Sequence, residues 1–106
     1  SHPDPVNIAK YVMDCGAHSI TIHLREDRRH IKDLDVVKLC KLKKVITNLE
    51  ISLNDEIIKI ALKNKPNFIC IVPEKRKEVT TEGGLNLLKN LNKIKKTIQK
   101  FKKKKN

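Results

Sequence analysis

The chain is poor in aromatic residues: 106 residues hold no tryptophan, one tyrosine (Tyr11) and two phenylalanines. Isoleucine, leucine and valine must therefore fill whatever core it builds, and a domain this size buries roughly 60–70% of its unfolded surface. No run of about 18 apolar residues occurs, and no charged-then-apolar leader opens the chain, so neither a membrane span nor a signal peptide is expected. Cysteine is sparse and odd in number. Cys15, Cys40 and Cys70 lie far apart among apolar neighbours, which points to buried free thiols in a reducing compartment rather than to disulfides or metal. No histidine or cysteine spacing suits a metal, and no serine or cysteine nucleophile arrangement is recognisable.

Acids are missing from one region. From Lys89 to Asn106 there are nine lysines and no aspartate or glutamate, so most of the net charge of +12 belongs to the tail. A run such as "KKTIQKFKKKKN" attracts phosphate backbones or anionic lipids without sequence preference. It lacks the interleaved aromatics that stack on bases, having only Phe101. The plainer reading, a solvated helix face or a frayed end, is preferred. The charge alone does not decide the function.

What is present is a regular alternation. Asp4 can cap a helix that starts at Pro5, carries Val6, Ala9, Val12 and Met13 as its apolar stripe, and ends at Gly16. "HSITIHL" reads as a strand. Asp33 looks like the cap of a second helix, "LDVVKLCKLKK", before a second strand, "VITNLEISL". Asn54 opens a third helix, ended near Pro66, and "NFICIV" forms a third strand, cut off by Pro73. A polar loop then leads to a lysine-rich helix from about residue 85 to residue 105. Short apolar strands between helices mean right-handed crossovers and an α/β fold with a parallel sheet. His23, Glu50 and Glu74 fall at or just past the three strand ends, a spacing that suits either a barrel or a doubly wound sheet.

A period of two puts Ile20, Ile22 and Leu24 on one side of the first strand and Thr21, His23 and Arg25 on the other. On the second strand Asn48 and Glu50 share a side. One face thus turns polar toward the C-terminal strand ends, where parallel α/β folds place their ligands. Histidine titrates near neutrality and is a natural proton carrier; the plain alternative is a core histidine bonded to a carbonyl. Glu50 either moves protons or serves as a structural partner for Arg25. The loop "REDRRHIKD" offers Arg25, Arg28, Arg29, His30 and Lys32. Guanidinium forks bind phosphate, although such a loop is often merely solvated and held by weak internal ion pairs. Thr80 and Thr81 beside the glycines of "TTEGG" can bring backbone amides to an anion, a weak signal alone. The residues by themselves describe part of a βα-repeat enzyme for an anionic, phosphorylated small molecule, with His23 and Glu50 as candidates for proton transfer.

Three stretches carry more: "HLREDRRHI" (23–31), "NLE" (48–50) and "VPEKRKEVTTEGGL" (72–85). In order and spacing they closely resemble the PdxJ family of pyridoxine 5'-phosphate synthases, and the opening "HPDPV" looks like the family's segment before its first barrel helix. The resemblance implies a (β/α)8 TIM barrel that condenses 1-deoxy-D-xylulose 5-phosphate with 3-amino-2-oxopropyl phosphate to pyridoxine 5'-phosphate, phosphate and water. It implies no metal or organic cofactor, a cytoplasmic homo-oligomer, and no specific nucleic-acid or membrane partner. By motif position His23 and Glu50 match the family's acid/base residues, while Arg25, His30 and Thr80 match its contacts to the deoxyxylulose phosphate.

The departures are large. A family barrel is more than twice this long, and residues 1–106 supply about three of its eight strands, as one incomplete domain. The strand that brings an asparagine, an aspartate–histidine pair and an arginine is missing, as are the late strands with a further histidine and a second phosphate site. Turnover is not expected of this piece alone. The alternative is a non-catalytic remnant that binds phosphate or polyanions through its basic tail.

Overall fold

The computed structural model describes residues 4–73 and 90–105. Helix α1 (Pro5–Asp14) starts where Asp4 accepts a hydrogen bond from the Val6 amide at 3.0 Å, with Pro5 in the first turn. It ends through Gly16, whose φ of 101° lets its own amide and that of Ala17 reach the carbonyls of Met13 and Val12. Strand β1 (Ile20–His23) follows. Helix α2 (Asp33–Lys41) begins one residue earlier than the aspartate reading requires: Lys32 is the cap, and its amide donates to Asp35 at 2.8 Å. Asp33 lies inside the first turn instead, free to bond elsewhere because Asp35 serves the cap amide.

Strand β2 (Thr47–Ile51) leads to α3 (Asp55–Asn64), capped by Asn54, which accepts from the amides of Glu56 and Ile57. Strand β3 (Phe68–Ile71) and helix α4 (Leu91–Lys105) complete the described order. The lysine-rich tail is thus a helix to residue 105 and not a frayed end. It is held at Thr97, 3% exposed, whose hydroxyl donates to the Lys93 carbonyl, and by an ion pair from Lys93 to Asp55 at 3.0 Å.

The three strands are parallel and stand in chain order, β1-β2-β3. The helices pack side by side in the same order, α1 on α2, α2 on α3, α3 on α4. Between helices and sheet lies the core: Leu24, Val36, Leu39, Leu49, Ile51 and Ile57 are fully buried. On the opposite face Thr21, Phe68 and Cys70 are exposed, while His23, Asn48 and Glu50 are half-buried. A doubly wound sheet covers both faces and reverses its order at a switch point; unbroken order with helices on one face is the layout of a (β/α)8 segment. The expectation of buried cysteines fails in two cases. Cys15 at the end of α1 and Cys70 on the uncovered face are exposed, and only Cys40, in α2, is half-buried, where burial pushes its thiol pKa up.

Candidate functional site

Parallel pairing places His23 directly opposite Glu50, and Glu50 directly opposite Cys70, in one row across the three strands. The ladder continues one residue past His23, where the Leu24 amide donates to the Glu50 carbonyl at 3.2 Å. That bond pins the two strand ends to each other. A histidine and a carboxylate are therefore neighbours on the uncovered face, at the C-terminal end of the sheet. Beneath them, Asn48 donates to the Thr21 hydroxyl at 3.4 Å.

Arg25 lies just past β1. Its guanidinium meets Asp27 with both prongs, Nε to Oδ1 and Nη2 to Oδ2, each at 3.0 Å. Asp27 also accepts from the Arg29 amide at 3.0 Å. These hydrogen bonds, the Arg25 fork foremost, hold the Asp27 carboxyl well below the usual range, at about 2. Arg25 thus meets an acid of its own loop, two residues away.

Arg28 does not extend a cationic surface. Its Nε donates to Asp33 at 2.7 Å, its Nη2 to Glu56 at 2.6 Å and its Nη1 to the Glu26 carbonyl at 2.8 Å. Glu26 in turn accepts from the Ser52 hydroxyl at 3.0 Å and from Asn54 at 3.2 Å. The loop after β1 is thereby tied to the loop after β2 and to the start of α3. The sequence leaves Arg28 open between a phosphate fork and a loop held by internal ion pairs, and it gives no sign of Ser52 as the partner of Glu26. The bonded partners across these loops lie 26 to 28 residues apart in the chain, so no local pattern reveals them.

His30 is exposed and lies in the left-handed region at φ 69°, as Arg28 does at 56°. With Arg29, Lys32, Ile20 and Thr21 it lines a groove of about 970 Å³ between α1 and the outer edge of β1. Thr80, Thr81, the two glycines after them and Glu74 lie outside the described residues. Among the described residues no group of three or more His, Cys, Asp or Glu side chains stands close enough to hold a metal ion, and no helix is long and apolar enough to cross a membrane.

Comparison with known proteins gives the family. The family model described as "Pyridoxal phosphate biosynthesis protein PdxJ" matches residues 1–106. The chain belongs to the PdxJ family. A pyridoxine 5'-phosphate synthase of Pelagibacter ubique (strain HTCC1062) is 79% identical over 103 residues, covering 97% of this chain and 43% of the relative. One from Aliivibrio fischeri (strain ATCC 700601 / ES114) is 54% identical over 100 residues, 94% of this chain and 41% of the relative. A third, from Pseudoalteromonas translucida (strain TAC 125), is 54% identical over 94 residues. The chain thus spans about two fifths of the length of these PdxJ relatives. Its three-stranded sheet is a part of the family's barrel.

Proposed function

We propose that this segment serves, within a chain of full family length, a pyridoxine 5'-phosphate synthase. That enzyme condenses 1-deoxy-D-xylulose 5-phosphate with 3-amino-2-oxopropyl phosphate to pyridoxine 5'-phosphate, phosphate and water. The observation that supports it most is the pairing of His23 with Glu50 at the C-terminal end of the sheet, in a chain whose relatives carry that name.

The chemistry asks for little more than placed proton carriers. An amine adding to a ketone gives a carbinolamine that must lose water. The resulting imine must enolise, and ring closure must be followed by further eliminations. Each step moves a proton to or from carbon, nitrogen or oxygen, and a positioned acid/base side chain typically contributes about 10²–10⁴-fold. His23 and Glu50 carry these protons side by side, from neighbouring strands on one face of the sheet. Arg25, His30 and Thr80 hold the deoxyxylulose phosphate, so that its carbonyl carbon meets the amine in a fixed orientation. The reading calls for neither a metal nor an organic cofactor. Residues 1–106 form one part of a single barrel domain, which works as a cytoplasmic homo-oligomer.

The test is made on a chain of full family length containing residues 1–106. His23→Gln and Glu50→Gln keep the side chains polar and similar in size. Each is expected to lower kcat at least about a hundredfold while the thermal unfolding midpoint stays close to that of the unaltered enzyme. Near-normal turnover in either variant would remove that residue from the acid/base assignment.

A further inference from the structure

His30 occupies a conformation that its sequence does not favour. The Ile31 amide donates to the Arg29 carbonyl at 2.8 Å, closing a three-residue turn with His30 at its apex and φ 69°. A turn of this kind with positive φ at a residue other than glycine is rare and strained. Such strain persists only where the surroundings enforce it.

The surroundings that enforce it converge on Arg28. Its backbone is itself left-handed, at φ 56°, and its amide donates to the Arg25 carbonyl at 3.0 Å. Its carbonyl accepts from the Lys32 ammonium at 2.7 Å, across the turn that contains His30. Its guanidinium reaches three acceptors on three separate parts of the chain: Asp33 at the start of α2, Glu56 at the start of α3, and the Glu26 carbonyl. Pairing with Asp33, then with Glu56, raises its pKa further, so the fork stays charged. Only a planar guanidinium presents donors in those directions at once; an ammonium would keep the charge and lose the geometry.

We propose that Arg28 is a positioning residue, which fixes the strained His30 turn in the place where His30 meets the substrate phosphate. The inference rests on the synthase reading above, and on His30 touching the phosphate within it. Arg28 acts through His30 and makes no substrate contact of its own. Its loss leaves the His23–Glu50 pair in register, because that pair is held by the sheet ladder and not by the loop. The damage therefore falls on substrate binding and not on the chemical steps.

The experiment is a double-variant cycle in the full-length enzyme, with Arg28→Lys, Arg28→Met, His30→Ala and Arg28→Lys/His30→Ala, measuring kcat and KM for 1-deoxy-D-xylulose 5-phosphate. Arg28→Lys is expected to raise that KM about tenfold, as a small misplacement of a binding group does, with kcat within about threefold and KM for the amino ketone unchanged. In the His30→Ala background the same change is expected to leave KM where His30→Ala alone put it, since groups acting as a unit do not add. Additive KM effects, or a fall in kcat at unchanged KM, would overturn the proposal. Arg28→Met tests the same point without the charge. Should it fail to fold, the Lys variant decides. An unaltered full-length chain that forms no pyridoxine 5'-phosphate would instead sink the synthase reading itself.

Discussion

Arg25 and Asp27 show how one residue can serve two purposes. The fork of Arg25 is closed on Asp27 by two hydrogen bonds, yet both side chains keep more than two fifths of their surface in water. An exposed pair of this kind is screened and readily exchanged. A phosphate bearing up to two charges is a stronger partner for the same fork than one carboxylate. In the proposed synthase reading, Asp27 is a placeholder that keeps Arg25 pointed until a phosphate displaces it. Its titration reports the state of the fork. The folded value, about 2, lies below that of an ordinary aspartate. The pairing therefore favours the folded loop above about pH 4 and is lost as pH falls through about 2. A carboxyl-carbon NMR titration is expected to find Asp27 near 2 in the unaltered protein. In Arg25→Gln it should move upward, short of the ordinary value because the Arg29 amide still donates to it. An unmoved titration would mean that the fork is not closed on Asp27 in solution.

At the scale of strands and helices, the sheet buries one group that its surroundings do not suit. Thr47 begins β2 on the helix-covered face, fully buried, and its hydroxyl has no hydrogen-bond partner among the described residues. Its amide is served, by Asn67 at 2.9 Å. Thr47→Val replaces the hydroxyl by a methyl group of similar shape and removes a desolvation penalty of about 1–3 kcal/mol. A gain of about 1 kcal/mol in urea unfolding of the full-length enzyme is the expected result; a loss would reveal a partner for the hydroxyl.

The same elements show what the sequence made legible. The Asp4 and Asn54 caps and the Gly16 stop could be read because each acts within a few residues of itself. The pairing of His23 with Glu50 followed from the period of two within each strand and the even length of the repeats. The cap of α2 was displaced by one residue because two aspartates, Asp33 and Asp35, compete there, and only geometry assigns one to the Lys32 amide and the other to Arg28. Periodicity and spacing alone leave barrel and doubly wound sheet open, since the choice depends on which face each crossover takes; the motifs shared with the PdxJ family select the barrel. The role of Arg28 stays open in the sequence for a related reason: a solvated arginine and a three-way staple have the same local sequence.

Over the whole molecule, the charge and the shape separate. The lysines gather on α4, at one end of the chain, while the candidate site lies on the opposite, uncovered face of the sheet, at its C-terminal end. Among the described residues β1 is paired only with β2, and β3 only with β2, so both outer edges of the sheet present unpaired backbone. Beside them lie two hollows, the groove between α1 and β1 and an apolar one of about 310 Å³ between β3 and α4, lined by Ile69, Ile71, Ile94, Ile98 and Phe101. The radius of gyration, 14.7 Å, exceeds the roughly 13 Å of a compact chain of 100 residues, as a sheet that the described helices cover on one face should. Edges of this kind recruit further strands, from the same chain or from copies of it. A polypeptide of residues 1–106 alone is therefore expected to sediment as assemblies well above its 12.2 kDa and to form no pyridoxine 5'-phosphate from the two substrates, because the row from His23 to Cys70 closes only part of a site. Sedimentation and product assay on that polypeptide settle both points. A stable monomer would mean that the sheet edges are blocked by the chain itself. Measurable turnover would mean that three strands suffice, and that the remaining three fifths of the relatives' length serve something other than the chemistry.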